Sequence, residues 1–140
     1  MAAFETRQDV MFQHCDPAGI VFYPRYVEMI NAVVEQWFAR GLEVPFAELV
    51  MVRRKGVPTA RLEVDFRAPS RLGDVLDLSL SVTRIGKSSV TFTVEAHCEG
   101  QLRLTSCVTL VHVDAVELKS EPWPDDLRAR IELFTLQASL

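Results

Sequence analysis

The spacing of apolar residues changes twice along this chain. Residues 4–12 (FETRQDVMF) are typical of a first strand, and the spacing then becomes helical from Pro24 to Arg40. Pro24 fits a first helical position, where its missing N–H would be unpaired anyway, and Gly41 fits the end. The pattern predicts a central helix of about 25 Å. Its buried face consists of Tyr26, Met29, Ile30, Val33, Val34, Trp37 and Phe38.

After this helix, residues 43–56 predict a loop with a short helix, and the period then becomes two, as in half-buried strands. The glycine-containing turns RIGKSS and CEGQ connect the last three strands as antiparallel hairpins. A closing helix follows in PWPDDLRARIELF. The predicted class is α+β, with a five-stranded antiparallel sheet wrapped around the long helix in a single domain, 1–140. The four alternating segments are 60–69, 74–86, 88–98 and 102–114.

Composition and charge exclude several classes of function. The chain has 140 residues, 49% of them hydrophobic and 24% charged, and its net charge of −4 argues against nucleic-acid binding. The apolar stretch 27–38 is too short and too polar to span a membrane. The three cysteines cannot all pair within one chain, and the first ten residues do not resemble a signal peptide. We therefore expect free thiols in the cytoplasm.

The segment FQHCDPAGIVFYPRY, residues 12–26, contains most of the candidate chemistry. His14, Cys15 and Asp16 are consecutive, and adjacent side chains of an extended chain point to opposite sides, so we expect no metal site here. Cys15 as a nucleophile would need a base that the sequence does not place, and a lone cysteine is more often a small buried apolar residue. His14 is also better explained as a structural residue.

Asp16 is different because the turn-forming residues Pro17, Ala18 and Gly19 follow it, and a helix begins shortly afterwards. The first N–H groups of a helix are unpaired and carry the positive end of its dipole. A carboxylate ahead of such donors can attack a carbonyl or activate water while an N–H polarises the carbonyl oxygen. Asp16 can equally be the cap of a turn, and spacing alone leaves both interpretations open.

A family resemblance rests on four segments, DPAGIVFYPRY, FRAPSRLGDVL, TRIGKSSVTF and VHVD. Through these segments the whole chain resembles the 4-hydroxybenzoyl-CoA thioesterase family of the hotdog fold. The resemblance implies an acyl-CoA thioesterase in which Asp16 is the nucleophile or general base and the Tyr23 backbone N–H polarises the thioester carbonyl. Gly19 matches the glycine of the loop between them. Lys87 matches a basic position that contacts coenzyme A phosphates. Arg84 lies near that position and matches it more loosely. It also implies a homotetramer built as a dimer of dimers, with active sites at the dimer interface and no cofactor or metal.

The chain departs from the family pattern at two places. Asn31 stands where the 4-hydroxybenzoyl enzyme carries an aspartate that faces the ring hydroxyl, and Ile85 and Gly86 stand where that enzyme has two arginines before Lys87. The acyl group therefore stays open between an aromatic acyl-CoA, a short aliphatic acyl-CoA and an acyl-carrier-protein ester.

Two other functions of the same fold are weighed against hydrolysis. Hydratases and dehydratases of acyl thioesters carry a histidine on the central helix, and residues 24–40 contain none. A non-catalytic module that binds acyl-CoA or acyl-carrier protein would not need Asp16, so the presence of this carboxylate favours the enzyme.

Overall fold

The computed structural model describes residues 3–135, and its main strands and helices follow the order expected from the sequence. Two short strands were not predicted, and one of them divides the predicted strand 102–114. The strands are β1 Phe4–Asp9, β2 Lys55–Gly56, β3 Thr59–Phe66, β4 Val75–Ile85, β5 Ser89–Cys98, β6 Gln101–Val111 and β7 Val113–Asp114. The α-helices are α1 Tyr23–Gln36 and α2 Asp125–Glu132. Shorter helical segments are a 3-10 turn at Phe12–His14 and π-helical turns at Trp37–Gly41 and Ala47–Val52.

The main sheet has five antiparallel strands in the order β1-β4-β5-β6-β3, while β2 and β7 form a separate two-stranded ribbon. The register brings apolar residues into rows across the sheet, for example Leu78 opposite Ala96 and Ala96 opposite Leu104. These side chains are buried in the same core as the apolar face of α1. Burial of one sheet face against one helix stabilises both elements, which confirms the predicted α+β class.

The long helix was predicted from Pro24 to Arg40, and the structure corrects its end. Regular α-helix ends at Gln36, and the chain continues through a wider turn to Gly41, whose neighbour Leu42 donates its N–H to the Trp37 carbonyl at 2.8 Å. The wide turn keeps Trp37 and Phe38 fully buried. Within residues 3–135, no helix is both long and apolar enough to cross a bilayer.

The first strand is also shorter than predicted, because β1 ends at Asp9 instead of continuing to Phe12. Val10 still exchanges hydrogen bonds with the turn before β4, donating its N–H to the Asp74 carbonyl at 2.8 Å and accepting the Gly73 N–H at 3.0 Å. Met11 then donates its N–H to Nδ1 of His14 at 2.8 Å, which turns the chain out of the sheet. This early turn delivers the following residues to the start of α1.

Strand β3 forms one edge of the sheet and pairs only with β6 in the described part of the chain. Its predicted apolar face is only partly covered within one chain, since Val64 packs against the core whereas Leu62 is 39% exposed and Phe66 is 51% exposed. An uncovered edge offers unpaired N–H and C=O groups to another strand. This edge is the least protected part of the sheet.

Candidate active site

The loop between the 3-10 turn and α1 is a tightly closed structure. The Asp16 N–H donates to the Ile20 carbonyl at 2.9 Å, and the Gly19 N–H donates to the Asp16 carbonyl at 2.9 Å. The Phe22 N–H donates to the His14 carbonyl at 2.9 Å, so the two ends of the loop are tied together immediately before α1 begins. Gly19 has a φ of +78°, a left-handed conformation that side chains disfavour, which explains glycine at this position.

The carboxylate of Asp16 caps this loop. Its Oδ1 accepts the Ala18 N–H at 2.9 Å, and the residue is half-buried. Among residues 3–135 this is the one hydrogen bond to the carboxylate, so the other oxygen, Oδ2, is available. The turn-cap interpretation and the catalytic interpretation of Asp16 are therefore compatible, because the cap orients the side chain and leaves one oxygen without a partner.

Helix α1 begins with Tyr23, directly after the loop. The Tyr23 N–H has no acceptor within the described residues, and Phe22 at the N-cap provides no side-chain hydrogen bond. Such an N–H lies at the positive end of the helix dipole. The Tyr23 side chain is 62% exposed, so the useful group for binding a carbonyl oxygen is the backbone donor.

A second segment, residues 69–74, is hydrogen-bonded to the loop and supports it. The Val21 N–H donates to the Ser70 carbonyl at 2.9 Å, and the Leu72 N–H donates to the Gly19 carbonyl at 3.0 Å. The hydroxyl of Tyr26, on the buried face of α1, accepts the Ser70 N–H at 3.1 Å. Helix, loop and supporting segment are thereby fixed relative to one another.

Arg103 on β6 fixes the supporting segment in turn. Its Nη1 donates to the Pro69 carbonyl at 3.1 Å, to Ser70 Oγ at 3.2 Å and to Asp74 Oδ2 at 2.8 Å. The Arg71 backbone N–H, and then the Arg103 guanidinium, lower the pKa of the Asp74 carboxyl group. The hydrogen bond to Asp74 correspondingly raises the pKa of Arg103. This ion pair therefore stabilises the segment to which the loop is bonded.

The two reactive neighbours of Asp16 have structural surroundings. Nδ1 of His14 accepts the Met11 N–H, which places the ring proton of the neutral histidine on Nε2, and the residue is buried. The Cys15 thiol is 3.6 Å from the Met11 carbonyl oxygen. In the described part of the chain, no group of three His, Cys, Asp or Glu residues is arranged to hold a metal ion.

An apolar cleft of about 650 Å³ runs along α1. It begins one helical turn after Tyr23, since Val27, Ile30, Asn31 and Val34 line it from the helix side. Its polar side chains are few, and Asn31 is the exposed amide among them. The cleft is completed by Glu28, Phe46, Leu49, Val50, Val57, Thr59, Leu62, Val108 and Leu110.

The structure does not bring all the predicted site residues together within one chain. The Asp16 loop is bonded next to Arg71, just before β4 begins, whereas Arg84 and Lys87 lie at and beyond the far end of this strand. Eleven residues of extended strand span about 35 Å. Because this length separates them, one active site can combine Asp16 and Lys87 only if they come from different copies of the chain. Both basic residues are exposed and therefore accessible to another copy.

The comparison with known proteins identifies the family of this chain. The Thioesterase-like superfamily matches residues 10–131. The chain belongs to this superfamily. The crystal structure of a thioesterase-superfamily protein from Jannaschia sp. CCS1 superposes with a TM-score of 0.89 at 30% identity, covering 97% of this chain and 94% of that one. The hotdog fold, the resemblance to 4-hydroxybenzoyl-CoA thioesterases and the assignment as a thioester hydrolase are confirmed.

Two proteins to which the chain is similar have named activities. The chain is 23% identical to the Escherichia coli acyl-CoA thioester hydrolase YbgC over 125 residues, which cover 88% of this chain and 91% of that protein. It is 29% identical to the 4-hydroxybenzoyl-CoA thioesterase of a Pseudomonas species over 77 residues, which cover 54% of this chain and 55% of the relative.

Several residues that shape the candidate site were not predicted from the sequence. Arg103 and Ser70 are far from Asp16 along the chain, and their contact depends on the pairing of β3 with β6. Tyr26 was predicted only as a member of the apolar stripe. A buried tyrosine hydroxyl usually finds a hydrogen-bond partner, so the position of Tyr26 on the buried face of the helix was the one indication in the sequence that such a contact exists.

Proposed function

We propose that this protein hydrolyses acyl-CoA thioesters, with Asp16 delivering oxygen to the thioester carbonyl and the Tyr23 N–H stabilising the charge that develops on the carbonyl oxygen. The observation that carries the proposal is the closed loop, which holds a carboxylate with a free oxygen immediately before a helix whose first N–H has no acceptor within residues 3–135. Acyl transfer requires these two groups.

Two routes use the same groups. In the first, the Asp16 carboxylate attacks the carbonyl carbon, the carbon–sulfur bond breaks, and the coenzyme A thiolate leaves and takes a proton. Water then hydrolyses the mixed anhydride and regenerates the carboxylate. In the second, Asp16 accepts a proton from water as the water attacks, and the proton passes to the leaving thiolate. The Tyr23 N–H donates to the same oxygen in both routes.

We propose that the apolar cleft along α1 receives the acyl group, which is an aromatic group like 4-hydroxybenzoyl or a short aliphatic chain. The cleft starts beside the helix end that carries the proposed carbonyl donor, and most of its lining is aliphatic or aromatic. Asn31 both donates and accepts hydrogen bonds, unlike an ionised aspartate. It is therefore compatible with acyl groups that lack a hydroxyl as well as with those that carry one.

We propose that the active enzyme is a homo-oligomer, a dimer or a dimer of dimers, and that Lys87 and Arg84 bind the phosphates of coenzyme A held in the site of another copy. The supporting observations are the uncovered β3 edge and the separation of Lys87 from Asp16 by the length of β4. The proposed reaction needs no cofactor, since coenzyme A is part of the substrate. A cytoplasmic location, expected from the unpaired cysteines, stays a prediction that cell fractionation tests.

The test is a panel of benzoyl, 4-hydroxybenzoyl, phenylacetyl and short to medium aliphatic CoA esters, with the released thiol measured for the wild type and Asp16→Asn. The proposal expects turnover of at least one ester by the wild type and its loss in the variant. A non-catalytic binding module would instead show calorimetric binding of these esters without thiol release, and this result would replace the enzyme assignment.

A further inference from the structure

In the turn that carries Lys87, residues 86–89, every carbonyl group accepts a hydrogen bond from another part of the chain. The Gly86 carbonyl accepts Nη2 of Arg128 at 2.6 Å, and the Ser88 carbonyl accepts the His112 N–H at 2.7 Å. Trp123 bonds the other two carbonyls, through its backbone N–H to Lys87 at 3.0 Å and through Nε1 to Ser89 at 2.9 Å. The N–H groups of Lys87 and Ser88, by contrast, have no acceptor anywhere in residues 3–135.

Arg128 reaches this turn because the chain before α2 is anchored beside it. The indole ring of Trp123 packs against the buried His112 ring with a centroid separation of 5.0 Å. Helix α2 starts directly after Pro124, whose carbonyl accepts the Arg128 N–H at 2.9 Å. Arg128 is therefore one turn into α2, with its guanidinium group over the Gly86 carbonyl.

The charges of Arg128 and Lys87 are not neutralised by the protein. Neither side chain forms a salt bridge within the described residues, although the whole chain has a net charge of −4. Arg130, two residues along the same helix, is the contrast: it donates to the Leu42 carbonyl at 2.7 Å and lies 3.5 Å from the Glu43 carboxylate. A guanidinium group has five N–H donors, and the described contacts of Arg128 use only Nη2.

We propose that Arg128 is a phosphate-binding residue for the coenzyme A ester and acts beside Lys87. This inference rests on the proposed function. The turn itself offers one cation, because Ile85 and Gly86 are uncharged. Arg128 adds a further cation from α2. Its Nη2 is anchored by the Gly86 carbonyl, and its other donors, like the Lys87 and Ser88 N–H groups, have no acceptor within residues 3–135. Phosphate oxygens are the acceptors that such a combination of guanidinium, ammonium and backbone N–H groups binds.

The test compares two thioesters of the same acyl group, one of coenzyme A and one of N-acetylcysteamine, which carries no phosphate. Arg128→Ala should raise the KM of the CoA ester about ten-fold or more, the loss expected for charge-assisted hydrogen bonds. Its kcat and its KM for the N-acetylcysteamine ester should stay near the wild-type values. Arg130→Ala is the matched control, since it removes an arginine–carbonyl bond from the same helix and should not change the ratio of the two KM values.

Several outcomes overturn the inference while the proposed function stands. One is a wild-type KM ratio in Arg128→Ala, and another is an equal rise for both esters, which would show a purely structural role. If Arg128→Ala does not fold, the same ratio of KM values is measured for Arg128→Gln, which keeps a neutral donor. Arg128→Lys should fall between wild type and Arg128→Gln. Failure of the wild type to hydrolyse either ester would instead refute the proposed function.

Discussion

The hydroxyl of Tyr26 accepts the backbone N–H of Ser70 at 3.1 Å, and both residues are buried. This bond joins the central helix to the segment that carries the Asp16 loop, because the Ser70 carbonyl accepts the Val21 N–H from the other side. The position of the proposed nucleophile relative to the helix start therefore depends on a group outside the loop itself.

Removing this hydroxyl tests that dependence. We expect Tyr26→Phe to lower the free energy of unfolding by about 1–3 kcal/mol, because the buried Ser70 N–H is left without an acceptor. Urea denaturation measures the change. Tyr23→Phe is the control, since the Tyr23 hydroxyl is exposed and has no hydrogen bond in the described structure, and it should leave stability unchanged. Equal stability of the two variants would contradict the role of the Tyr26 bond.

Asp16→Asn keeps the size of the side chain but is a much weaker nucleophile and base. We expect kcat to fall about 10²-fold or more while substrate binding persists, the scale of lost acid–base catalysis. Steady-state kinetics with the best ester of the panel measure this. Cys15→Ala should cost little by comparison. Activity of the asparagine variant within a few-fold of wild type would refute the carboxylate mechanism and return attention to Cys15 and His14.

The Asp74–Arg103 pair predicts a pH dependence of stability. The folded pKa of Asp74 is lowered, so its contribution is present above the ordinary aspartate pKa, about 3.9, and is lost as the pH falls through the folded value. Asp74→Asn should therefore destabilise the protein at pH 7 by about 1–2 kcal/mol, and by progressively less as the pH falls through the folded pKa of Asp74. The exposed Glu132→Gln on α2 is the control, and a destabilisation by Asp74→Asn that does not change with pH would contradict the prediction.

Asn31 is expected to select among acyl groups. Asn31→Ala should change the ratio of kcat/KM between the 4-hydroxybenzoyl and benzoyl esters by about five-fold, the value of one hydrogen bond. Asn31→Asp should favour the hydroxylated ester, because an ionised carboxylate can only accept a hydrogen bond. Glu35→Ala, an exposed change one turn further along α1, serves as the control. Unchanged relative rates in Asn31→Ala would remove Asn31 from the pocket.

The uncovered edge predicts self-association. Light scattering at micromolar concentration should give two or four times the mass of one chain, and a monomer would contradict both the oligomer and the shared site. Leu62→Lys, which places a charge on the exposed apolar side of β3, should shift the mass towards the monomer. Val116→Lys is the matched control, because Val116 is an exposed apolar residue in the turn after β7 rather than on the sheet edge.

The sequence by itself determined the fold class, because helical and alternating periodicities are local properties of the chain. The apolar stripe of α1 and the alternation of β4 to β6 predict which faces are buried, and the structure confirms them. The Asp16 loop and the start of α1 were also predictable, since a few adjacent residues form both.

Only the tertiary structure decided what surrounds those local elements. Three hydrogen bonds join residues that are 29 or more positions apart in the sequence: Tyr26 with Ser70, Arg103 with Asp74, and Arg128 with Gly86. No periodicity encodes such contacts, because they depend on strand register and on where α2 packs. The same reason applies to Lys87: the family resemblance implies that it contacts coenzyme A at an active site shared between subunits, and only the structure shows that β4 separates Lys87 from the Asp16 loop of its own chain.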